Sequence, residues 1–138
     1  MNILEAIKKG DRILKKEGIK SYKLDSEILM SHVTQKSRLD IILNFNTNLS
    51  NKDIILFENL IKQRSKRKPI AYLIGKKEFW KYEFSITKDV LIPRPDTEII
   101  IDQTLKLTKN KSGLKILDIG IGSGCVLLSI LKERKNFY

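Results

Sequence analysis

The chain has 138 residues, 41% apolar and 31% charged, a balance that fits a folded chain and argues against disorder. Its 27 basic and 16 acidic residues leave a net charge of +11. No apolar run approaches the roughly 18 to 20 residues that span a bilayer, and the opening Met1-Asn2-Ile3-Leu4-Glu5 places an acid where a secretory signal needs an unbroken apolar stretch.

A single cysteine, Cys125, excludes an internal disulfide framework and any multi-cysteine zinc site. No metal site is expected, and a reducing, cytoplasmic setting fits best. A basic surface can attract nucleic acid, ribosomes or acidic proteins. Lysine supplies 21 of the cations and arginine 6, and there are 21 isoleucines. Joint Lys and Ile enrichment often reflects codon bias, and lysine is the less specific phosphate reader. Proximity to RNA or the ribosome is left open on charge alone.

Residues 2–17 read as an amphipathic helix, with Ile3, Leu4, Ile7, Ile13 and Leu14 near helical spacing and Gly18 as its stop. A second helix is expected over residues 25–33. Leu24, Ile28 and Leu29 form its inner stripe, and Asp25 and Glu27 sit in the acid-friendly first turn. A short third helix covers residues 37–43, and residues 44–51 read as a loop. For the fourth helix, Ser50 is the N-cap, Asp53 the reciprocal capping residue, and Leu49 with Ile54 a hydrophobic staple. Its inner face is Ile54, Phe57, Leu60 and Ile61, and Pro69 limits its end. These helices should form a bundle over residues 1–74.

Two features of that bundle have a bland and a functional reading. Lys62-Gln63-Arg64-Ser65-Lys66-Arg67-Lys68 is either a docking patch or a set of cations favoured by a helix C-terminus. The structural reading is preferred. His32, the only histidine, reads as a surface or capping residue rather than a catalyst.

From Trp80 onward the alternation is that of a strand, with Trp80, Tyr82, Phe84 and Ile86 on one face. A hairpin is expected around Thr87-Lys88-Asp89, with Val90-Leu91-Ile92 as its second strand. Aromatics between lysines could stack bases, but a half-buried hairpin is the commoner meaning, here a linker over residues 75–93.

Residues 94–138 carry the chemistry. Two prolines in Ile92-Pro93-Arg94-Pro95-Asp96-Thr97-Glu98 enforce an extended backbone, after which a helix runs to about Thr108 with Ile100, Ile101 and Leu105 inward. Leu114-Lys115-Ile116-Leu117-Asp118-Ile119 reads as a strand, followed by a glycine-rich turn and a helix. The string is D-x-G-x-G-x-G. Cys125 stands where a dinucleotide site has its third glycine, so that fit fails. The acid at the strand end would repel a pyrophosphate and suits an ammonium or sulfonium ligand, which S-adenosylmethionine provides. Cys125 reads as a small motif-filling residue rather than a reactive thiol.

The basic helical domain, Pro69-Ile70-Ala71-Tyr72-Leu73-Ile74-Gly75 leading to Glu78-Phe79-Trp80, the proline-flanked heptad and the glycine turn together resemble the release factor glutamine methyltransferases of the HemK/PrmC type. The resemblance covers the whole chain. It implies an α+β protein: an all-α N-terminal bundle, a β-hairpin linker and the start of a Rossmann-like α/β methyltransferase domain. It implies methyl transfer from S-adenosylmethionine to the Gln of a Gly-Gly-Gln motif in class 1 peptide chain release factors. The helical domain would help hold the release factor. The cofactor would lie on Gly120, Ile121, Gly122, Ser123 and Gly124, with Asp118 in support. The family's Asn-Pro-Pro-Tyr clamp is absent from this sequence, so no catalytic residue is assigned. The expectation is a truncated, monomeric chain, inactive alone. The rival readings are a non-catalytic release-factor or ribosome docking module and a fragment of a nucleic-acid adenine methyltransferase.

Overall fold

The computed structural model describes all of residues 1–138 and divides into two compact units, Met1–Ile74 and Gly75–Tyr138. None of its helices is long and apolar enough to cross a membrane.

The first unit is helical, and α1 (Ile3–Lys16), α2 (Tyr22–Thr34) and α4 (Asn51–Ser65) pack on one another. The short α3 (Arg38–Leu43) and α5 (Ile70–Ile74) complete the unit. The start of α1 is fixed twice over. The Asn2 side chain accepts from the Glu5 N–H at 2.9 Å while the Glu5 carboxylate accepts from the Asn2 N–H at 2.9 Å. Residues 44–49 then fold back along it, with the Ile3 N–H donating to the Thr47 carbonyl at 3.0 Å and the Leu4 N–H to the Phe45 carbonyl at 3.1 Å. The loop thus satisfies N–H groups that a helix start leaves unpaired. At the other end Gly18 takes φ +69°, the left-handed turn that stops a helix.

The inner face of α1 is Ile3, Ala6, Ile7, Gly10 and Leu14. Ile13, expected inside, is exposed, and Gly10 faces inward. A Cβ on Gly10 would lie 2.9 Å from Ile61 Cδ1 and 3.2 Å from Phe57 Cζ. The glycine is what lets α1 approach α4 so closely.

Helix α2 begins three residues before its expected start, and Leu24 is exposed while Asp25 is buried. The cause is an ion pair. Asp25 Oδ2 accepts from Arg64 Nε of α4 at 2.7 Å and from the Ser21 hydroxyl at 2.9 Å. A carboxylate with those partners takes the inward position that the apolar pattern assigned to leucine.

Helix α3 carries a reciprocal Ser37–Asp40 cap. On α4, Ser50 is the N-cap as expected, and Leu49 packs on the core. Asp53 does not reach the Ser50 N–H, however; its carboxylate accepts from the Ser50 hydroxyl at 2.7 Å.

In the second unit β1 (Lys76–Phe79) and β2 (Tyr82–Ser85) form the only sheet, antiparallel, with Phe79 opposite Tyr82 and Lys77 opposite Phe84. The hairpin therefore turns at Trp80-Lys81, not at residues 87–89, and residues 90–92 form no strand. Trp80 has the parity of Tyr82 and Phe84 but sits in the turn at φ +57°, and Phe79 is buried instead. The turn lacks the glycine or asparagine that marks a tight hairpin in sequence, which is why alternation alone misplaced it. Phe79 and Phe84 meet edge to face with centroids 6.3 Å apart.

Pro93 is buried, and Pro95 opens a short 3₁₀ turn, Pro95–Thr97, that runs into α6 (Glu98–Leu107). Ile101 is fully buried there, whereas Ile100 is exposed. Helix α7 (Cys125–Glu133) packs on α6, and Arg134 just beyond it donates to the Leu105 carbonyl at 3.0 Å.

The segment expected as a strand, residues 114–119, joins no sheet. Its Ile116 N–H donates to the Tyr138 carbonyl at 2.9 Å, and the Tyr138 N–H donates to the Leu114 carbonyl at 3.1 Å. That is the bonding pattern of a parallel pair, one residue long. Leu117 and Ile119 are 84% and 89% exposed. A strand apolar on both faces needs neighbours and cover on both, and this segment has helices on one side only.

Candidate cofactor-binding site

The bend between Asp118 and α7 is built by three glycines. Gly120, Gly122 and Gly124 take φ of +82°, +55° and +75°. A side chain at Gly124 would also meet Leu128 Cδ1 at 3.1 Å. The Gly124 N–H closes the bend onto the Ile121 carbonyl at 2.8 Å, and its own carbonyl accepts from the Leu128 N–H at 2.9 Å to start α7. No side chain caps that helix start. The N–H groups of its first turn are therefore free to meet a ligand at the positive end of the helix dipole.

Space over the bend is open. A Cβ at Gly120 would meet nothing within 4 Å, and one at Gly122 only the Gly120 carbonyl at 3.8 Å. Ile121 is half exposed and Ser123 half buried. Asp118 precedes the bend, half buried, and borders a groove with Ile100, Thr104, Val126 and Leu127. The six residues named from sequence thus form one contiguous feature: a backbone cradle, an uncapped helix start and one carboxylate. Such a set suits a ligand that combines a polar nucleoside with a cationic centre. Cys125 is buried as the first residue of α7.

Sequence reasoning passed over a second cluster in this unit. The Glu133 carboxylate accepts from Trp80 Nε1 at 3.1 Å, from the Tyr82 hydroxyl at 3.1 Å and from Lys81 Nζ at 3.0 Å. The Glu98 carboxylate accepts from the Trp80 N–H at 2.8 Å. Lys132 Nζ lies 4.3 Å from the Tyr82 ring centre. The Lys81 ammonium and the Trp80 bond hold the Glu133 carboxyl below the usual glutamate value, and burial with the neighbouring carboxylate pushes the Tyr82 phenol up. Glu133 lies 53 positions from Trp80, so no local pattern could have shown it.

The basic run of the first unit is largely spent internally. Arg64 pairs with Asp25 and donates to the Lys68 carbonyl, Arg67 donates to the Glu17 carbonyl at 3.3 Å, and Lys68 Nζ donates to the Gln63 side chain. His32 sits in the last turn of α2. No group of three or more His, Cys, Asp or Glu side chains gathers in a way that could hold a metal ion.

The PrmC N-terminal domain matches residues 5–75, just over half of the chain. The chain belongs to the PrmC family. It is 41% identical to a release factor glutamine methyltransferase of Buchnera aphidicola subsp. Baizongia pistaciae, covering 97% of this chain and 48% of that protein. It is 37% identical to the Haemophilus influenzae enzyme of the same name, over 88% of this chain and 43% of the relative. A bifunctional methyltransferase of Rickettsia typhi is 36% identical, with 98% of this chain matched to 30% of that protein. The chain thus spans under half the length of these PrmC-type relatives. The α+β class, the helical N-terminal region and the resemblance named from sequence agree with these matches.

Proposed function

We propose that these 138 residues are the partner-docking domain and the first cofactor loop of a release factor glutamine methyltransferase. The observation that carries the reading is the union of a PrmC-type helical domain with an open three-glycine bend behind Asp118. S-adenosylmethionine, when bound, supplies a methyl group on a sulfonium centre. The backbone of Gly120, Ile121, Gly122, Ser123 and Gly124 would lie against the cofactor, and Asp118 would place negative charge near its cationic end.

The helical domain has a surface for a protein partner. Leu39 and Leu43 on α3 are 65% and 72% exposed, four residues apart and so on one face. A class 1 release factor is the partner this reading assigns. The sequence contains no Asn-Pro-Pro-Tyr string. A glutamine amide must be oriented so that its nitrogen lone pair meets the methyl carbon, and no group here is assigned that task. The chain by itself is therefore expected to hold half a pocket and to transfer nothing.

Calorimetry with S-adenosylmethionine and a labelled-methyl assay with release factor test this. The expected result is weak cofactor binding and no label in the release factor. Tight stoichiometric uptake, or label on the Gly-Gly-Gln glutamine, would overturn the half-pocket reading.

A further inference from the structure

We propose that Glu133 is a positioning residue. Its carboxylate latches the hairpin tip to the last turn of α7, and so holds the glycine bend at the other end of that helix.

Glu133 is in the wrong place to help its own helix. It is the last residue of α7, where the dipole disfavours an acid. What it does there is collect three donors from three consecutive hairpin residues, Trp80, Lys81 and Tyr82. The Glu133 side chain is 19% exposed, although Lys81 is 63% exposed. The latch is therefore sheltered at its centre and open at its rim, so its bonds are worth more than those of a surface pair. The turn it grips is strained. Trp80 is a bulky residue at positive φ, a conformation that persists only where its surroundings enforce it. Glu98, at the start of α6, enforces it from the other side through the Trp80 N–H. Two carboxylates from two helices thus fix one hairpin tip.

The latch reaches the bend through α7. The helix is about 13 Å long at its nine residues, with Gly124 as its N-cap. Strand β2 and α7 border one groove, lined by Tyr82, Phe84 and Ser85 from the strand and by Ser123, Leu128 and Leu131 from the bend and helix. Hairpin and helix are pinned together at the Glu133 end, so the position of the bend at the Ser123 end depends on that pin. Without it, α7 keeps its packing on α6, the Arg134 bond to Leu105 and the Lys132 contact with the Tyr82 ring.

The inference rests on reading residues 120–124 as the cofactor loop, but its test needs no cofactor. Backbone amide exchange of residues 121–126 and the emission of Trp80, the only tryptophan, are measured in the 138-residue chain for the wild type, Glu133→Ala and Glu133→Gln. Alanine is the better helix former, so any loosening in that variant comes from the lost latch. Glu133→Ala should red-shift Trp80 and speed exchange at the bend by about tenfold or more, as for a local opening. Trp80 and Tyr82 both donate to Oε1, which a glutamine carbonyl reproduces. Glu133→Gln should therefore restore most of both signals. Should the alanine variant not fold, Lys81→Ala with Tyr82→Phe removes two of the three donors and leaves α7 intact, with the same acceleration expected. Unchanged exchange at the bend on loss of the latch, or a glutamine variant no better than alanine, overturns the inference. Neither result bears on whether the bend binds cofactor, which calorimetry decides separately.

Discussion

Arg64 Nε lies 2.7 Å from Asp25 Oδ2 inside the helical unit, joining α4 to α2 across 39 positions of sequence. Both side chains are largely buried, at 17% and 7% exposure. Removing one partner strands a charge away from water, which costs about 3–5 kcal/mol. Arg64→Ala is expected to destabilise the helical unit by that amount in urea melts followed by circular dichroism. Asp25→Leu with Arg64→Met, an apolar pair of similar size, should recover most of the loss. A double variant as unstable as the single would show that the ion pair itself, rather than its burial, holds the helices.

Gly10 sits where α1 meets α4. Alanine gains about 1 kcal/mol of helix propensity at an ordinary position. Here its Cβ would stand 2.9 Å from Ile61 Cδ1 and 3.2 Å from Phe57 Cζ, and overpacking costs about 1–3 kcal/mol. Gly10→Ala should therefore lower the unfolding free energy by about 1 kcal/mol after the propensity gain, and Gly10→Val by more. An alanine variant more stable than the wild type would mean the helices have room to part.

Two carboxyls respond to pH in opposite directions. Glu133 is lowered from 4.5 by Lys81 and by the Trp80 bond. The stability it contributes is present above its ordinary value and is lost as pH falls through the depressed one. Trp80 emission should hold steady from neutral pH to about 4.5 and shift only below it. Asp11 on α1 is raised from 3.8, chiefly by burial, with the Ser26 hydroxyl opposing. Its contribution is present below 3.8 and lost as pH rises, because the folded chain disfavours the charge. Asp11→Asn should accordingly flatten the fall in stability of the helical unit as pH rises above about 4, measured by urea melts at a series of pH values. An unaltered slope would contradict the assignment.

Gly124→Ala forces a Cβ into the left-handed region, which costs about 1–2 kcal/mol, and presses it on Leu128. Trp80 reports on the second unit alone. The Trp80-detected denaturation midpoint should fall, while the far-UV signal of the helical unit keeps its own midpoint. Equal shifts in both would show that the two units unfold together.

Most of the helical unit was legible because its signals are local. The cap at Ser50, the Gly18 stop and the Phe57, Leu60 and Ile61 stripe each lie within a turn or two of the residues they govern. Leu24 and Ile13 were misplaced because their inward positions went to Asp25 and Gly10, whose partners Arg64 and Ile61 are far away in sequence. The hairpin was legible as alternation but not in register, since Trp80 takes a turn conformation that only Glu98 and Glu133 make tolerable. The glycine bend was visible because backbone geometry itself demands glycine there. The segment before it reads as a strand, apolar on both faces, and its only backbone partner is Tyr138.

The central claim is that the PrmC-type helical domain docks a release factor. The most direct measurement is a titration of a class 1 release factor against the 138-residue chain, without cofactor, by fluorescence anisotropy. A saturable one-to-one complex is expected, weakened by Leu39→Lys with Leu43→Lys on α3. Absence of saturable binding, or binding that ignores those two leucines and vanishes with modest salt, would contradict it.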